Sequence, residues 1–128
     1  MRKKILIIGN KEKYTLDYIY FKTFKKLGYE VDFFSIDISL KHRAIAKFNH
    51  LFPVFTFAKL RKKILFFFKQ NKKKYDLIII FKGIYLNKVT LLKIKKIQNN
   101  SKFINIFPDD PFNVFNSSIS SKNFFNLI

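Results

Sequence analysis

The stretch YDLIIIFKG, from Tyr75 to Gly83, carries the strongest fold signal in the chain. Its centre, Leu77 to Phe81, is an unbroken run of five large apolar residues, most of them β-branched or aromatic. A strand with one solvated face alternates apolar and polar residues, so this run predicts a strand that is buried on both faces. The run is too short to favour a helix, and Gly83 interrupts it. Such strands are typical of parallel sheets that helices cover on both sides.

Lys82 and Gly83 follow this strand directly, which places them where a ligand would bind. Ligands of open parallel sheets lie outside the carboxyl ends of the strands. We therefore regard Lys82 and Gly83 as candidate ligand-binding residues. The alternative is that Lys82 is only a solvated residue at the end of a strand.

The amino-terminal part predicts a strand, a helix and a second strand. Lys3 to Ile8 is a short apolar strand, and Gly9-Asn10 is the turn at its carboxyl end. Apolar residues at three- and four-residue spacing then predict a helix over Tyr14 to Leu27, with Thr15 as N-cap and Gly28 just past its end. Its predicted apolar face consists of Leu16, Ile19, Tyr20, Phe24 and Leu27. Tyr29 to Asp37 is the second strand, which completes a βαβ unit.

This βαβ unit lacks the glycines of a nucleotide-binding turn. A dinucleotide fingerprint needs three glycines after the first strand, so that the backbone can approach a pyrophosphate. Here Gly9 is followed by Asn10, Lys11, Glu12 and Lys13, and no glycine-rich run precedes a Lys-Ser/Thr pair. We therefore expect no tightly bound nucleotide at this turn.

Residues 40–74 are basic and apolar together, and Pro53 divides them into helical pieces over 40–50 and 56–70. Phe57, Leu60, Ile64 and Phe67 or Phe68 form the apolar face of the second piece. One interpretation is an amphipathic surface for acidic lipid or a polyanion. The interpretation that we favour is a crossover helix with a solvated lysine face. His42 and His50 lack the further ligands that zinc requires, so we predict no metal site.

The chain then predicts a helix, a strand and a paired carboxylate turn. Leu86 to Gln98 is the helix, with Asn87 as its cap, and Phe103 to Phe107 is the strand. Asp109 and Asp110 come next between two prolines, and they are the only adjacent acidic residues in the chain. Adjacent carboxylates at a strand end can bind sugar hydroxyls, and one can serve as a base if its neighbour raises its pKa. The alternative is a structural turn that caps the segment after it.

Composition limits the function classes. The chain has 128 residues, a formal net charge of +18 and no cysteine, which fits one domain of a reducing compartment. The charge is compatible with nucleic acid or an anionic membrane, but the joint abundance of Lys, Ile, Asn and Phe also follows from A/T-rich codon usage, which we favour. The apolar run Ile5 to Ile8 is shorter than a signal segment needs, and nothing approaches a bilayer span. We expect a cytoplasmic protein.

Three segments, in this order and spacing, resemble the amino-terminal half of CgeB-like glycosyltransferases of the spore maturation protein type. They are GN with YTLDYIYFKTFKKLGYEVDFFSID after it, then YDLIIIFKG, and then FPDDPFN. The resemblance spans nearly the whole chain, although residues 40–74 have little motif character. It implies a GT-B enzyme of two Rossmann-like domains, in which the amino-terminal domain serves the acceptor and the carboxyl-terminal domain binds a nucleotide-sugar donor. It also implies that Gly9, Asn10, Lys82, Gly83, Asp109 and Asp110 line the cleft.

We therefore expect a Rossmann-like three-layer α/β/α domain over residues 1–128, with a mostly parallel sheet of four strands in the order 3-2-1-4. The expected function is the acceptor-side part of sugar transfer from a nucleotide-sugar donor. The donor domain would be absent from this chain, which would bind no cofactor itself and be inactive on its own. It would be either a fragment of a longer protein or a shortened gene product that needs a partner. The alternative is a non-enzymatic basic α/β module that binds nucleic acid or an anionic membrane, which a steep loss of binding with salt would favour.

Overall fold

Four parallel strands form one sheet with helices on both faces, which confirms the predicted three-layer α/β class. The computed structural model describes residues 2–36 and 53–108. In chain order the elements are β1 (Lys4–Gly9), α1 (Leu16–Lys26), β2 (Glu30–Ser35), α2 (Pro53–Gln70), β3 (Leu77–Phe81), a 3₁₀ turn (Gly83–Tyr85), α3 (Lys88–Ile97) and β4 (Lys102–Ile106). The predicted helical piece over 40–50 lies outside the described residues.

The strand order is β2-β1-β3-β4, and the predicted order 3-2-1-4 is wrong. That order would have put β3, the most apolar strand, at an edge of the sheet. In the structure β1 and β3 hold the two interior positions and are buried along almost their whole length. β2 and β4 carry polar residues such as Asp32 and Lys102, and they form the two edges, where their side chains remain partly exposed. The two strands with the most apolar surface to bury thus occupy the interior of the sheet.

Each face of the sheet has its own apolar core. Alternate residues of a strand point to opposite faces, so Ile5, Ile7, Ile79 and Phe81 meet α1 through Tyr20, Phe21 and Phe24. The other residues of the same two strands, Leu6, Ile8, Ile78 and Ile80, pack against α2 and α3. The helix residues of this second core are Leu60, Ile64, Phe68, Leu91 and Ile94.

Helix ends follow the predicted signals. Gly28 has φ 85° just past α1, and the N–H groups of Gly28 and Tyr29 donate to the carbonyl groups of Lys25 and Phe24. These two bonds form a Schellman motif, and the rings of Phe24 and Tyr29 pack edge to face beside it. At the start of α3, Asn87 Oδ1 accepts a hydrogen bond of 2.9 Å from the Thr90 N–H, as a capping residue does.

The predicted apolar face of α1 is only partly right. Tyr20 and Phe24 pack against the sheet, but Leu16, Ile19 and Leu27 are exposed. The face that meets the sheet is centred on Asp17 instead, with Phe21 one turn further along the helix. The helix is therefore rotated from the predicted orientation, because its three aromatic rings cover more apolar area on the sheet than the leucines would.

A polar network at the amino end of the sheet ties the α2–β3 connection to β2. Lys73 Nζ lies 2.7 Å from Asp32 Oδ2 and 2.7 Å from Glu30 Oε1, and the Tyr75 hydroxyl donates to the same Asp32 oxygen over 2.8 Å. Partial burial raises the pKa of the Asp32 carboxyl, but the hydrogen bonds from Lys73 and Tyr75 lower it by more, so the pKa lies below its ordinary value. The folded chain therefore favours the ionised form of Asp32.

We expect Asp32→Asn to lower the free energy of unfolding by roughly 0.5–1 kcal/mol at neutral pH, because the ion pair is partly exposed. The folded-state pKa of Asp32 is depressed, so its contribution is present above the unfolded pKa of about 3.9 and is lost as the pH falls through the folded value. Urea unfolding at a series of pH values should show wild type and variant converging in acid. Glu12→Gln, at an exposed site, is the control. A stability difference that stays constant with pH would contradict this account.

Candidate functional site

A cavity of about 470 Å³ opens at the carboxyl edge of the sheet, between the ends of β1 and β3. These two strands are neighbours, but β1 leads to β2 on one side and β3 leads to β4 on the other. The chain connections therefore diverge at this point, which makes it the topological switch point of the sheet. Open α/β sheets bind their ligands in this crevice. The residues that line the cavity are Gly9, Asn10, Thr15, Leu16, Asp17, Ile36, Phe81, Lys82, Tyr85 and Pro108.

The structure brings together three of the six candidate site residues. Gly9, Asn10 and Lys82 line the cavity from its two sides. Gly83 is buried next to Lys82 and contributes no lining surface, and its N–H donates to Asn105 Oδ1 over 3.2 Å. Asp109 and Asp110 lie outside the described residues, although Pro108, which precedes them, lines the cavity.

Asp17 is the residue that sequence reasoning missed. Its side chain is 9% exposed and covers Gly9 so closely that a Cβ atom at position 9 would overlap Asp17 Oδ2. The same oxygen accepts a hydrogen bond of 2.5 Å from the Asn10 N–H. Close packing by Asp17 thus requires glycine at position 9. The available signal was the position of Asp17, which is three and seven residues before Tyr20 and Phe24 and so shares their helix face.

Side-chain bonds fix the β1–α1 loop beside the cavity. The Thr15 hydroxyl donates to the carbonyl oxygens of Asn10 (3.0 Å) and Glu12 (2.8 Å). Asn10 Oδ1 in turn accepts from the Glu12 N–H over 3.0 Å. Thr15 is the N-cap residue, as predicted, but its hydroxyl bonds the loop and not the helix N–H groups. The loop is therefore shaped by its own side chains before any ligand binds, which suits a preformed site.

On the β3 side, Lys82 adopts a left-handed backbone conformation, with φ 48° and ψ 57°. Residues other than glycine, asparagine and aspartate rarely adopt this conformation, and it costs on the order of 1 kcal/mol or more. The Lys82 N–H donates to the Ile106 carbonyl over 3.0 Å, which continues the β3–β4 pairing by one residue. The strain thus lies where the chain leaves the sheet and turns into the 3₁₀ helix at the cavity wall.

Tyr85 closes the floor of the cavity. Its ring is 3% exposed and its hydroxyl donates to the Phe81 carbonyl over 3.2 Å. Burial, and then the nearby Asp17 carboxylate, raises the pKa of Tyr85 well above its ordinary value. The hydroxyl consequently stays protonated and acts as a structural donor, and it is not a general base at neutral pH.

Asn105, near the carboxyl end of β4, presents a further polar group at this edge. Its Nδ2 atom is buried and has no hydrogen-bond partner within the part of the chain that the structure describes. A buried amide nitrogen without a partner is costly and is uncommon in native proteins. The Oδ1 atom of the same amide accepts a hydrogen bond from the Gly83 N–H.

The arrangement offers a cavity with apolar walls and a few polar groups. Ile36, Phe81 and Tyr85 supply apolar surface, while Asn10, Thr15 and Lys82 supply hydrogen-bonding groups or charge. This is the usual composition of a small-molecule site. Over residues 2–36 and 53–108, no group of His, Asp and Glu side chains is arranged to hold a metal ion. Within the same ranges, no helix combines the length and apolar character needed to cross a bilayer.

Comparisons with protein-family models, with curated proteins and with solved structures gave no significant match for this chain. The function must therefore be inferred from the residues of the site.

We expect Gly9→Ala to lower the free energy of unfolding by about 1–3 kcal/mol, because the new methyl group displaces the Asp17 side chain. Asp17→Ala removes the carboxylate, whose Oδ2 is the nearest atom, but keeps the Asp17 Cβ 2.9 Å from the new methyl carbon. Part of the clash is therefore relieved, and the double variant should be more stable than the two single effects predict, by roughly 0.5–3 kcal/mol. Chemical denaturation of the four proteins measures this coupling.

Gly28→Ala is the matched control. Gly28 has φ 85° and no heavy atom within 4 Å of an added Cβ, so alanine there is destabilising through backbone conformation alone. Its effect should simply add to that of Asp17→Ala. Equal coupling at positions 9 and 28 would show that Asp17 does not pack on Gly9 in the way described.

Proposed function

We propose that this domain holds the acceptor side of a sugar-transferring enzyme, with the acceptor bound in the cavity between β1 and β3. The observation that carries the proposal is the meeting of Gly9, Asn10 and Lys82 around one cavity at the switch point of the sheet. The resemblance to CgeB-like glycosyltransferases supplies the reaction class. On this proposal a nucleotide-sugar donor is bound by a second α/β domain, in the same polypeptide or in a partner chain.

The chemistry of the cavity supports a sugar or a similar polyhydroxyl ligand. A sugar ring has an apolar C–H surface that Phe81 and Ile36 can cover, and hydroxyl groups that Asn10, Thr15 and Lys82 can bond. The β1–α1 turn supports an acceptor over a nucleotide, because only Gly9 is present and its backbone is covered by Asp17. A pyrophosphate needs bare backbone N–H groups at such a turn, and the N–H of Asn10 already bonds Asp17.

A general base is not identified among the described residues of the cavity. Asp17 is committed to the Asn10 N–H, and Tyr85 to the Phe81 carbonyl. Asp109 and Asp110 remain the candidates for acceptor binding or for base catalysis, because they come directly after the cavity residue Pro108 in sequence.

The alternative function is a basic α/β module that binds nucleic acid or an anionic membrane, and the net charge of +18 is its support. Lysines occur on all three described helices. Codon bias predicts lysines spread over the whole chain, whereas a selected nucleic-acid site gathers Lys and Arg on one face. We therefore prefer the transferase to a nucleic-acid-binding module.

The sugar site is tested by titrating the ¹⁵N-labelled chain with methyl glucoside and with N-acetylglucosamine. We expect amide shifts confined to the cavity, at Asn10, Asp17 and Lys82. Lys82→Asn should weaken binding about tenfold, because it removes a hydrogen bond from a charged donor. Asparagine is the matched replacement, since it tolerates the left-handed backbone conformation of Lys82.

Lys102→Asn, which removes an exposed lysine at the amino end of β4, is the charge control and should bind both sugars as wild type does. Shifts that avoid the cavity, or equal losses in the two variants, would contradict the proposed site. Micromolar binding of a uridine- or guanosine-diphosphate sugar would overturn the assignment of this domain to the acceptor.

Asp109→Asn and Asp110→Asn test the paired carboxylates. If either contacts the acceptor, its variant should lose about tenfold in affinity for the sugar that binds wild type, with an unchanged melting temperature. A base that does not bind the sugar would leave affinity intact and lower turnover by roughly 10²–10⁴-fold in the complete enzyme. A purely structural turn would show the reverse pattern, with a lower melting temperature and normal ligand binding.

A further inference from the structure

The outer surface of α1 exposes apolar and aromatic side chains among lysines. Tyr14 is 93% exposed and Ile19 is 51% exposed. They border a shallow depression together with Tyr18 and three lysines, and Lys22 Nζ lies 5.9 Å from the centre of the Tyr18 ring. We call this set the α1 outer surface; its residues are Lys13, Tyr14, Tyr18, Ile19, Lys22, Thr23 and Lys26.

Nothing inside the described part of the fold accounts for this surface. The residues of α1 that pack on the sheet are Tyr20, Phe21 and Phe24, on the opposite side of the helix. Tyr14 has φ 72°, a left-handed conformation that is unusual for a bulky residue, and its ring points into solvent. The chain thus maintains an unfavourable backbone conformation at a tyrosine that contributes little to the core.

The charged side chains of the α1 outer surface are all positive. From Lys13 to Lys26 the sequence has four lysines and a single carboxylate, Asp17. Asp17 is buried on the far side of the helix and bonded to the β1–α1 loop, so it does not neutralise the outer surface. The α1 outer surface is therefore cationic as well as apolar.

We propose that the α1 outer surface binds an anionic lipid membrane, with the helix axis lying in the plane of the interface. Exposed apolar side chains ringed by lysines are the features of helices that lie at such an interface. Ile19 would enter the boundary between headgroups and acyl chains, the two tyrosines would lie at headgroup level, and the lysines would contact lipid phosphates. This contact is independent of the sugar site and would hold whether or not the transferase proposal is right.

Two other occupants fit the surface less well. A second copy of the chain would bring lysines against lysines, between molecules that each carry a net charge of +18. A nucleic acid would satisfy the lysines and could stack on a tyrosine, but it would leave Ile19 without an apolar partner. A lipid interface is the occupant that satisfies the apolar and the cationic groups together.

The α1 outer surface is distinct from the amphipathic surface that the sequence suggests for residues 56–70. In α2 the apolar residues Leu60, Ile64 and Phe68 are buried in the core of the domain, so they are not available to lipid. The lysine-rich stretch is a crossover helix with a solvated face, the interpretation that the sequence favours. Phe66 of α2 is 64% exposed, but within the described ranges it has no exposed tyrosine beside it in the lining of a surface depression. The proposed membrane contact therefore lies on α1, where apolar spacing alone predicts only a core face.

Vesicle sedimentation with phosphatidylcholine, with and without phosphatidylglycerol, tests the proposal. The α1 variant carries Lys22→Gln and Lys26→Gln. The control variant carries Lys93→Gln and Lys96→Gln on α3, so it loses the same charge as the α1 variant. Helix α3 also has exposed apolar residues, Val89 and Leu92, but no tyrosine. Each lysine near an anionic surface contributes about fivefold in affinity, so the α1 variant should bind anionic vesicles at least about tenfold more weakly than the control.

Tyr14→Trp provides a second readout in a chain that contains no tryptophan. The emission of the introduced tryptophan should shift to the blue with anionic vesicles and stay unchanged with heparin or duplex DNA. Equal losses in the α1 and α3 variants would show attraction by net charge alone and overturn the proposal. The proposal would also be overturned if wild type did not bind phosphatidylglycerol vesicles, or if the α1 variant lost only DNA binding. A tryptophan emission that did not shift with anionic vesicles would overturn it as well. The tryptophan experiment uses no lysine substitution. It therefore tests the proposal even if a lysine variant fails to fold.

Discussion

The burial of β3 on both faces is the constraint on which the rest of the structure depends. Five apolar residues in a row leave no face of this strand that water can cover at low cost, so helices must cover both sides. The same requirement holds the strand in the interior of the sheet, with β1 on one side and β4 on the other. Once β1 and β3 are neighbours, their carboxyl ends meet, and the cavity forms between Gly9-Asn10 and Lys82.

The wrong strand order shows what sequence pattern leaves open. The order 3-2-1-4 keeps β1, β2 and β3 adjacent in succession, a common arrangement, but it separates the ends of β1 and β3 by two strand spacings, about 10 Å. Comparison of the four strands would have identified the two interior strands, because only β1 and β3 have no polar residue at their centres. The error concerned topology and not the candidate residues, and the observed order gathers Gly9, Asn10 and Lys82 more closely than the expected one would have done.

Local signals predicted the structure correctly where one residue or one short run determines the local geometry. Gly28 specifies a helix end, Asn87 a helix start, and the run Leu77 to Phe81 a buried strand, each with little help from the rest of the chain. The orientation of α1 could not be predicted in this way, because helical spacing alone allows Leu16 or Phe21 to face the sheet. The choice depends on which set fits the strands, a tertiary property, and Asp17 is buried because its carboxylate finds the Asn10 N–H there. A buried carboxylate with a specific partner was the part of the site least visible in sequence.

The two ends of the sheet divide stability from ligand binding. At the amino end, Asp32 pairs with Lys73 and accepts a hydrogen bond from Tyr75. Buried Gln98 accepts from the Tyr75 N–H and donates to the Lys73 carbonyl. These polar groups therefore hold the α2–β3 connection in place. The carboxyl edge of the described sheet differs, because it has a left-handed lysine and an open cavity at β1 and β3. On β4, outside the cavity lining, it also has a buried amide nitrogen without a partner among the described residues. In natural proteins, strained backbone and unsatisfied hydrogen-bonding groups cluster at ligand-binding and catalytic sites. The unequal treatment of the two ends is therefore a physical reason, separate from any family resemblance, to seek the ligand of this protein at the β1–β3 switch point.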